Sequence, residues 1–358
     1  MDDERSTVPR GRFMLGWLLT AGAAGGLWAS PLAALAGVLV IQLALALLER
    51  MPALRASPAA QAATPWHPWY LRMHVLLQTL MLAVGVGASV RAAEIGAPDG
   101  LGTAIFTVAA TGLTAGWITG SLGITYAHEL GHRRGRADRL IAWLLMGSVL
   151  YAHFMVEHYR GHHPRAATRD DPATARRGES LWHFLPRTLA GSWRSAWSLE
   201  RAQLARLHRS WLTSPLAWAV ALQALGLLAL TASLGWAALL FWLTQAAMAV
   251  FLLETVNYVE HYGLQRTTTD GRLEPFGVQH AWNADAALTN ALLANLQRHS
   301  DHHVHPWKPY ETLDALAGPQ LPTGYAGCVL LAAIPRAWFA VMHPRLDRHQ
   351  TATATPQD

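Results

Sequence analysis

Leu296-Gln297-Arg298-His299-Ser300-Asp301-His302-His303 is the stretch around which the chain is organised. His299, His302 and His303 stand at i, i+3 and i+4, offsets that share one side of a helix. Three imidazoles so placed can all reach a single metal centre. Two further stretches repeat the pattern. His128 and His132, in His128-Glu129-Leu130-Gly131-His132, sit at i and i+4. His158, His162 and His163, in Glu157-His158-Tyr159-Arg160-Gly161-His162-His163, sit at i, i+4 and i+5. His261 lies in Asn257-Tyr258-Val259-Glu260-His261-Tyr262-Gly263. These nine histidines are too many for one four-coordinate ion and suit two metals that keep open positions.

The surrounding chain reads as a membrane protein. Of 358 residues, 52% are apolar and 14% charged, against about a quarter charged in ordinary soluble domains. Sixteen tryptophans point to membrane interfaces. The net charge of +5 comes almost wholly from Arg. Beside long apolar runs it reads as a basic cytoplasmic face rather than a nucleic-acid surface. A single cysteine, Cys328, excludes an internal disulfide and a four-thiolate iron site.

The expected fold is all-α: a six-transmembrane-helix bundle with a cytoplasmic histidine-rich cap, in one domain over 1–345, followed by a polar tail at 346–358. Residues 1–12 are polar. The first apolar run lacks the short core and cleavage site of a signal peptide. Spans are expected at about 13–30, 31–48, 71–90, 101–126, 214–234 and 235–256. A linker over 51–70 and an outer loop over 91–100, with Glu94 and Asp99, separate the early spans. Residues 127–212 carry half of the basic residues, which places them in the cytoplasm. Within them, 140–156 is apolar and reads as a buried or re-entrant helix. A polar excursion fills 264–290, residues 289–303 look helical, and 325–342 reads as an interfacial helix. Gly22, Gly25 and Gly26 would allow close helix packing. Six crossings put all nine histidines on one side of the bilayer, at one shared site.

Imidazole suits iron, zinc, copper and nickel alike. His128-Glu129-x-x-His132 is also the signature of a zinc protease, but that reading leaves the other two boxes idle. A metal transporter predicts ionisable groups in mid-span, and the spans hold almost none. Two irons in a nitrogen-rich site can bind and cleave O2, and a membrane location supplies apolar substrates. Acids beside the boxes are candidates to orient metal-bound histidines: Glu129, Glu157, Asp171, Glu179, Glu254, Glu260 and Asp301. The remaining histidines, including His67, His74, His153, His183, His280 and His305, read as interfacial or hydrogen-bonded residues. His153 is the one closest to the second box.

The three boxes and the stretch Asn257-Tyr258-Val259-Glu260-His261-Tyr262-Gly263-Leu264 resemble those of the integral-membrane alkane 1-monooxygenases. They are similar to xylene monooxygenases and, more loosely, to membrane fatty acid desaturases, which lack the 257–264 stretch. Asp171-Pro172-Ala173 through Gly178-Glu179-Ser180 adds to the resemblance, which covers roughly residues 13–345. It implies two irons held by His128, His132, His158, His162, His163, His261, His299, His302 and His303, with no bridging carboxylate. It also implies O2 as co-substrate, electrons from rubredoxin and its NADH-dependent reductase, and a bacterial inner-membrane location. The implied reaction abstracts hydrogen from a terminal methyl group of an n-alkane, and hydroxyl rebound gives the primary alcohol. Methyl groups of alkyl aromatics or terpenes are the alternative substrates.

Overall fold

The computed structural model describes residues 10–54, 66–95 and 100–354. The polar N-terminus through residue 9, linker residues 55–65, loop residues 96–99 and the tail from 355 lie outside the described residues.

Two apolar helices open the chain: α1 (Leu15–Ala29) and α2 (Pro31–Leu48). Ser30 is extended between them, and Pro31 fits the first helical position, where its missing N–H costs nothing. Two long helices follow, α3 (Trp66–Ile95) and α4 (Leu101–His132). Over the polar segment run α5 (Arg136–Ser148), α6 (154–165) and α7 (Leu181–Arg206). Then comes α8 (Pro215–His261). The rest comprises a short hairpin of β1 (Thr268–Thr269) with β2 (Arg272–Leu273), α9 (Ala287–Leu292), α10 (His299–Val304), α11 (Tyr325–Ala332) and α12 (Pro335–Ala354). The hairpin, in the polar excursion, and a single β-bridge between Asn283 and Gln320 depart from an all-helical reading.

Four helices, α2, α3, α4 and α8, are long and apolar enough to cross a membrane. At 47 residues, α8 would run about 70 Å if straight, twice a hydrocarbon core. It folds back instead at Gly235, whose φ of 75° is free only for glycine. Gln223 and Gln245, on opposite sides of that turn, donate to the adjacent carbonyls of Gly147 and Ser148. The two halves therefore lie side by side, as expected for 214–234 and 235–256.

The tightest helix contact joins α4 to the second half of α8 through Gly112, Gly116 and Gly120. A Cβ on Gly116 would stand 2.5 Å from the carbonyl oxygen of Gln245, and one on Gly120 would stand 2.8 Å from the Cα of Ala249. Small residues at i, i+4 and i+8 let the two backbones touch. The glycines picked out by sequence do less: Gly22 and Gly25 face open space, and Gly26 meets only Ala34. The α4–α8 contact fixes where His128, His132 and His261 emerge, because all three stand at the ends of these helices.

Boundaries differ from expectation where the chain found partners for polar groups. α3 begins at Trp66, with Pro68 in its first turn, and continues to Ile95 because Arg91 lies over the Trp28 ring. Residues 140–156 do not form one helix: Leu150, at φ 56°, breaks them before the second box. Residues 289–303 break likewise at Ala294 and Asn295, with φ of 48° and 56°. Such conformations in non-glycine residues each cost of order 1–3 kcal/mol and need a rigid surround. The Asn295 side chain supplies one, donating to the carbonyl of Tyr310. The 325–342 run splits before Pro335, and α12 continues past 345 with Leu346 fully buried.

Gly116→Val should lower the midpoint of thermal unfolding in detergent by several degrees, because overpacking costs about 1–3 kcal/mol. Gly22→Ala should leave it unchanged or raise it. Equal midpoints for Gly116→Val and wild type would contradict the close α4–α8 contact.

Candidate metal centre

All nine box histidines are brought together, and they sort into two groups. His128, His132, His158, His163 and His302 form the first; His162, His261, His299 and His303 form the second. Within each group one nitrogen of every ring lies within 4.8 Å of the others. The third box is therefore split. His299 and His303, one above the other at i and i+4, join the second group, while His302 turns to the first. α10 stands between the groups and serves both, so its three imidazoles do not share one centre.

The second box shows how backbone geometry makes the ligands converge. On an α-helix, positions i and i+5 diverge. Here residues His158–His162 form a π turn, closed by the N–H of His163 donating to the carbonyl of His158. That wider turn brings His163 over His158, and their Nε2 atoms are 3.0 Å apart. His162 is left facing the second group. A second π turn, Thr119–Gly123, lies below the first box on α4.

The distances suit metal ligation. His163 Nε2 stands 3.2 Å from His132 Nε2, and His299 Nε2 stands 3.2 Å from His261 Nε2. Two nitrogens each about 2.1 Å from one ion would be separated by roughly 3.0–3.4 Å. His302 Nε2 and both ring nitrogens of His303 are buried with no hydrogen-bond partner among the described residues. A metal is the partner that such inward-facing lone pairs fit. Burial, reinforced by neighbouring imidazoles, holds His158, His163, His299 and His303 well below the ordinary histidine value. The rings are thus neutral and able to bind metal at pH 7. His162 goes the other way: burial lowers it, but the carboxylates of Asp171, Glu157 and Glu260 together outweigh burial and the net shift is upward.

Two Nδ1 atoms are hydrogen-bonded to oxygen and others have carboxylates nearby. His162 Nδ1 is 2.9 Å from Asp171 and His261 Nδ1 is 3.3 Å from the His280 carbonyl. Glu260 lies 3.2 Å from His299 Nδ1 and 2.6 Å from the Tyr325 hydroxyl. Glu129 lies between His128 and His302, at 3.5 and 3.8 Å from their Nδ1 atoms.

The other four acids do not touch the cluster. Glu179 grips Arg187, which donates to the carbonyls of Pro172 and Thr174 and so frames the loop that carries Asp171. Glu157 takes Arg165 and Ser195. Glu254 takes Tyr151, Thr188 and Asn257. Asp301 takes His305, Lys308 and the N–H of Asp314. Each ties a ligand-bearing segment to its neighbour. The side chains of the remaining histidines join neither group, His280 meeting His261 through its backbone carbonyl. His74 bonds Gln78, His280 bonds Glu274, His183 bonds Ser180, and His67 lies 3.3 Å from Glu311. His153 is buried against Tyr151 and Trp193, with no hydrogen bond among the described residues.

Several supports were not read from the sequence. Gln297 donates to Thr289 and Asn290 and accepts the N–H of Tyr325. Arg298 donates to the Leu313 carbonyl and to Asp285. Glu49, at the end of α2, accepts the N–H groups of Ala326 and Gly327 and so caps α11. That cap steadies the helix whose Tyr325 holds Glu260. A polar, buried residue at the end of an apolar run was the available signal for Glu49.

A cavity reaches the cluster from within the helices. Its walls include Leu45, Leu122, Leu252 and Leu292, and it meets His128 and His158 of the first group and His299 of the second. It is lined also by Gln42 and by Trp117, about three turns before His128 on α4, which are joined by a hydrogen bond from the indole N–H to the amide oxygen.

The family model described as fatty acid desaturase matches residues 103–332, and the chain belongs to that family of proteins. Within it the similarity is to the alkane 1-monooxygenases, as the boxes suggested. Alkane 1-monooxygenase 2 of Pseudomonas aeruginosa is 44% identical over 241 residues, covering 65% of this chain and 63% of the relative. Alkane 1-monooxygenase of Pseudomonas putida is 40% identical over 249 residues, covering 67% and 61%. The xylene/toluene monooxygenase hydroxylase component of Pseudomonas putida is 30% identical over 248 residues, covering 68% and 66%. The matches thus span somewhat under two thirds of the length of these relatives.

Asp171→Asn should weaken metal binding about 10–100-fold, as loss of a histidine's carboxylate partner does. Titration of the metal-loaded protein with a chelator checks this. Asp170→Asn, on the exposed neighbour, should bind like wild type. Equal affinities for both variants would contradict the Asp171–His162 pairing.

Proposed function

We propose that this protein hydroxylates the terminal methyl group of n-alkanes, with O2 and two rubredoxin-delivered electrons, at two irons held by the nine histidines. The observation that carries the proposal is the apolar cavity that ends on imidazoles of both groups. When bound, the irons supply O2 activation: one oxygen atom enters the substrate, and the other leaves as water with two protons.

The chain's own groups do the rest. Leucines and Trp117 exclude water and hold an alkyl chain along the cavity, so that only its end meets the metals. Asp171 holds His162 in a fixed tautomer, and Glu129 and Glu260 set the local field at His302 and His299. The bundle crosses the membrane six times, with the paired halves of α8 and the α1–α2 hairpin each contributing two crossings. Arginines concentrate at the histidine end (Arg133, Arg134 and Arg136 follow the first box), whereas the Ser30 and Gly235 turns are uncharged. That distribution of arginine supports a site at the cytoplasmic face of a bacterial inner membrane. A surface cleft bordered by Arg133, Arg134, Trp307 and Lys308 reaches Glu129 and His132. An acidic rubredoxin would dock there.

Membranes containing the protein, supplied with rubredoxin, its reductase, NADH and octane, should yield 1-octanol. Metal-loaded protein that consumes no O2 with octane would contradict the reading, and oxidation of p-xylene in preference to octane would redirect it to alkyl aromatics. Trp117→Ala should shift the preferred alkane to longer chains, read from a series of chain lengths. Arg133→Gln with Arg134→Gln should raise the KM for rubredoxin severalfold at low salt and leave the octane KM unchanged.

A further inference from the structure

α7 has three faces. Leu181, Phe184, Thr188, Ser192 and Ala196 are buried against the protein. Trp182, Pro186, Leu189, Trp193 and Trp197 follow at i, i+4, i+7, i+11 and i+15, a second stripe on one side of the helix. It is apolar throughout, yet Trp182, Leu189 and Trp193 are 52%, 37% and 42% exposed. Beside that stripe stand Arg194 and Arg201, both exposed and neither carrying an ion pair among the described residues. A face of tryptophan and leucine flanked by arginine is the composition of a helix lying in the plane of a membrane interface.

The neighbours of the stripe identify what covers it. At its start, Trp182 stacks on Phe251 of α8 at 6.1 Å and donates to the Ala333 carbonyl, next to the exposed Ile334. At its end, Trp197 packs on Trp211 at 5.7 Å, and the adjacent Leu212 is 78% exposed at the foot of the first half of α8. The stripe is thus continuous at both ends with lipid-facing surface of the apolar helices.

We propose that α7 is an in-plane anchor. Its tryptophan stripe sits at the boundary of acyl chains and headgroups, and Arg194 and Arg201 bind the phosphates of anionic lipid. The arginine stems run along the apolar stripe while their guanidinium groups reach the headgroup layer. Because the opposite face of α7 carries Thr188, which bonds Glu254, and Ser192, beside Tyr151, this anchor also holds the segment leading to the second histidine box at a fixed depth.

Spin labels at Leu189→Cys and Ser198→Cys, each in a Cys328→Ser background, test the proposal in vesicles of phosphatidylcholine and phosphatidylglycerol. The label at 189 should be relaxed by O2 and shielded from an aqueous nickel chelate, and the label at 198 should behave oppositely. Vesicles of phosphatidylcholine alone should reduce the shielding at 189. Arg194→Gln with Arg201→Gln should abolish that difference between lipids, each arginine contributing about a fivefold preference for the anionic surface. Equal nickel accessibility at both positions would overturn the anchor. Shielding at 189 from both reagents would assign the stripe to a second copy of the chain. Immersion at 189 that is indifferent to lipid charge would overturn the role of the arginines.

Discussion

Nine imidazoles pack against one another at the ends of apolar helices, several with ring nitrogens that no group among the described residues satisfies. A buried polar atom without a partner costs about 1–3 kcal/mol, so an arrangement of this kind is sustained by ligands that bind those lone pairs. The rest of the architecture serves that convergence. The α4–α8 glycine contact sets the positions of His128, His132 and His261. The π turn at His158–His162 brings together side chains that a regular helix would spread apart. The strained residues Leu150, Ala294 and Asn295 stand immediately before the second and third boxes, where the chain must bend to deliver them.

The carboxylates have a graded arrangement. Asp171 bonds an imidazole and Glu129 and Glu260 lie beside others, whereas Glu157, Glu179, Glu254 and Asp301 hold the segments that carry them. This explains why seven acids cluster near the boxes although no carboxylate lies among the nitrogen groups. Glu49 extends the same support into the second helix, connecting an apolar hairpin to α11 and thence to Tyr325, Glu260 and His299.

Much of this was legible in the sequence. Apolar runs ending in arginines gave the helices, and histidine spacing gave the site, because both signals are local. What escaped was set by tertiary contact. The splitting of the third box depends on α10 lying between two groups, which spacing alone cannot convey. The i, i+5 spacing of His158 and His163 makes sense only with a π turn. Backbone breaks at Leu150 and Asn295 carry no glycine or proline to mark them. Gly112, Gly116 and Gly120 were hidden among many glycines, and only the partner helix distinguishes them from Gly22 and Gly25. α7 was passed over within a polar segment, since its stripe alternates with arginine and serine.

Metal content measures most directly whether nine histidines in groups of five and four hold two ions. The purified protein should carry two irons per chain, and His261→Ala or His132→Ala one, since each disables one group. A single zinc in the wild type, or two irons retained in both variants, would contradict that assignment.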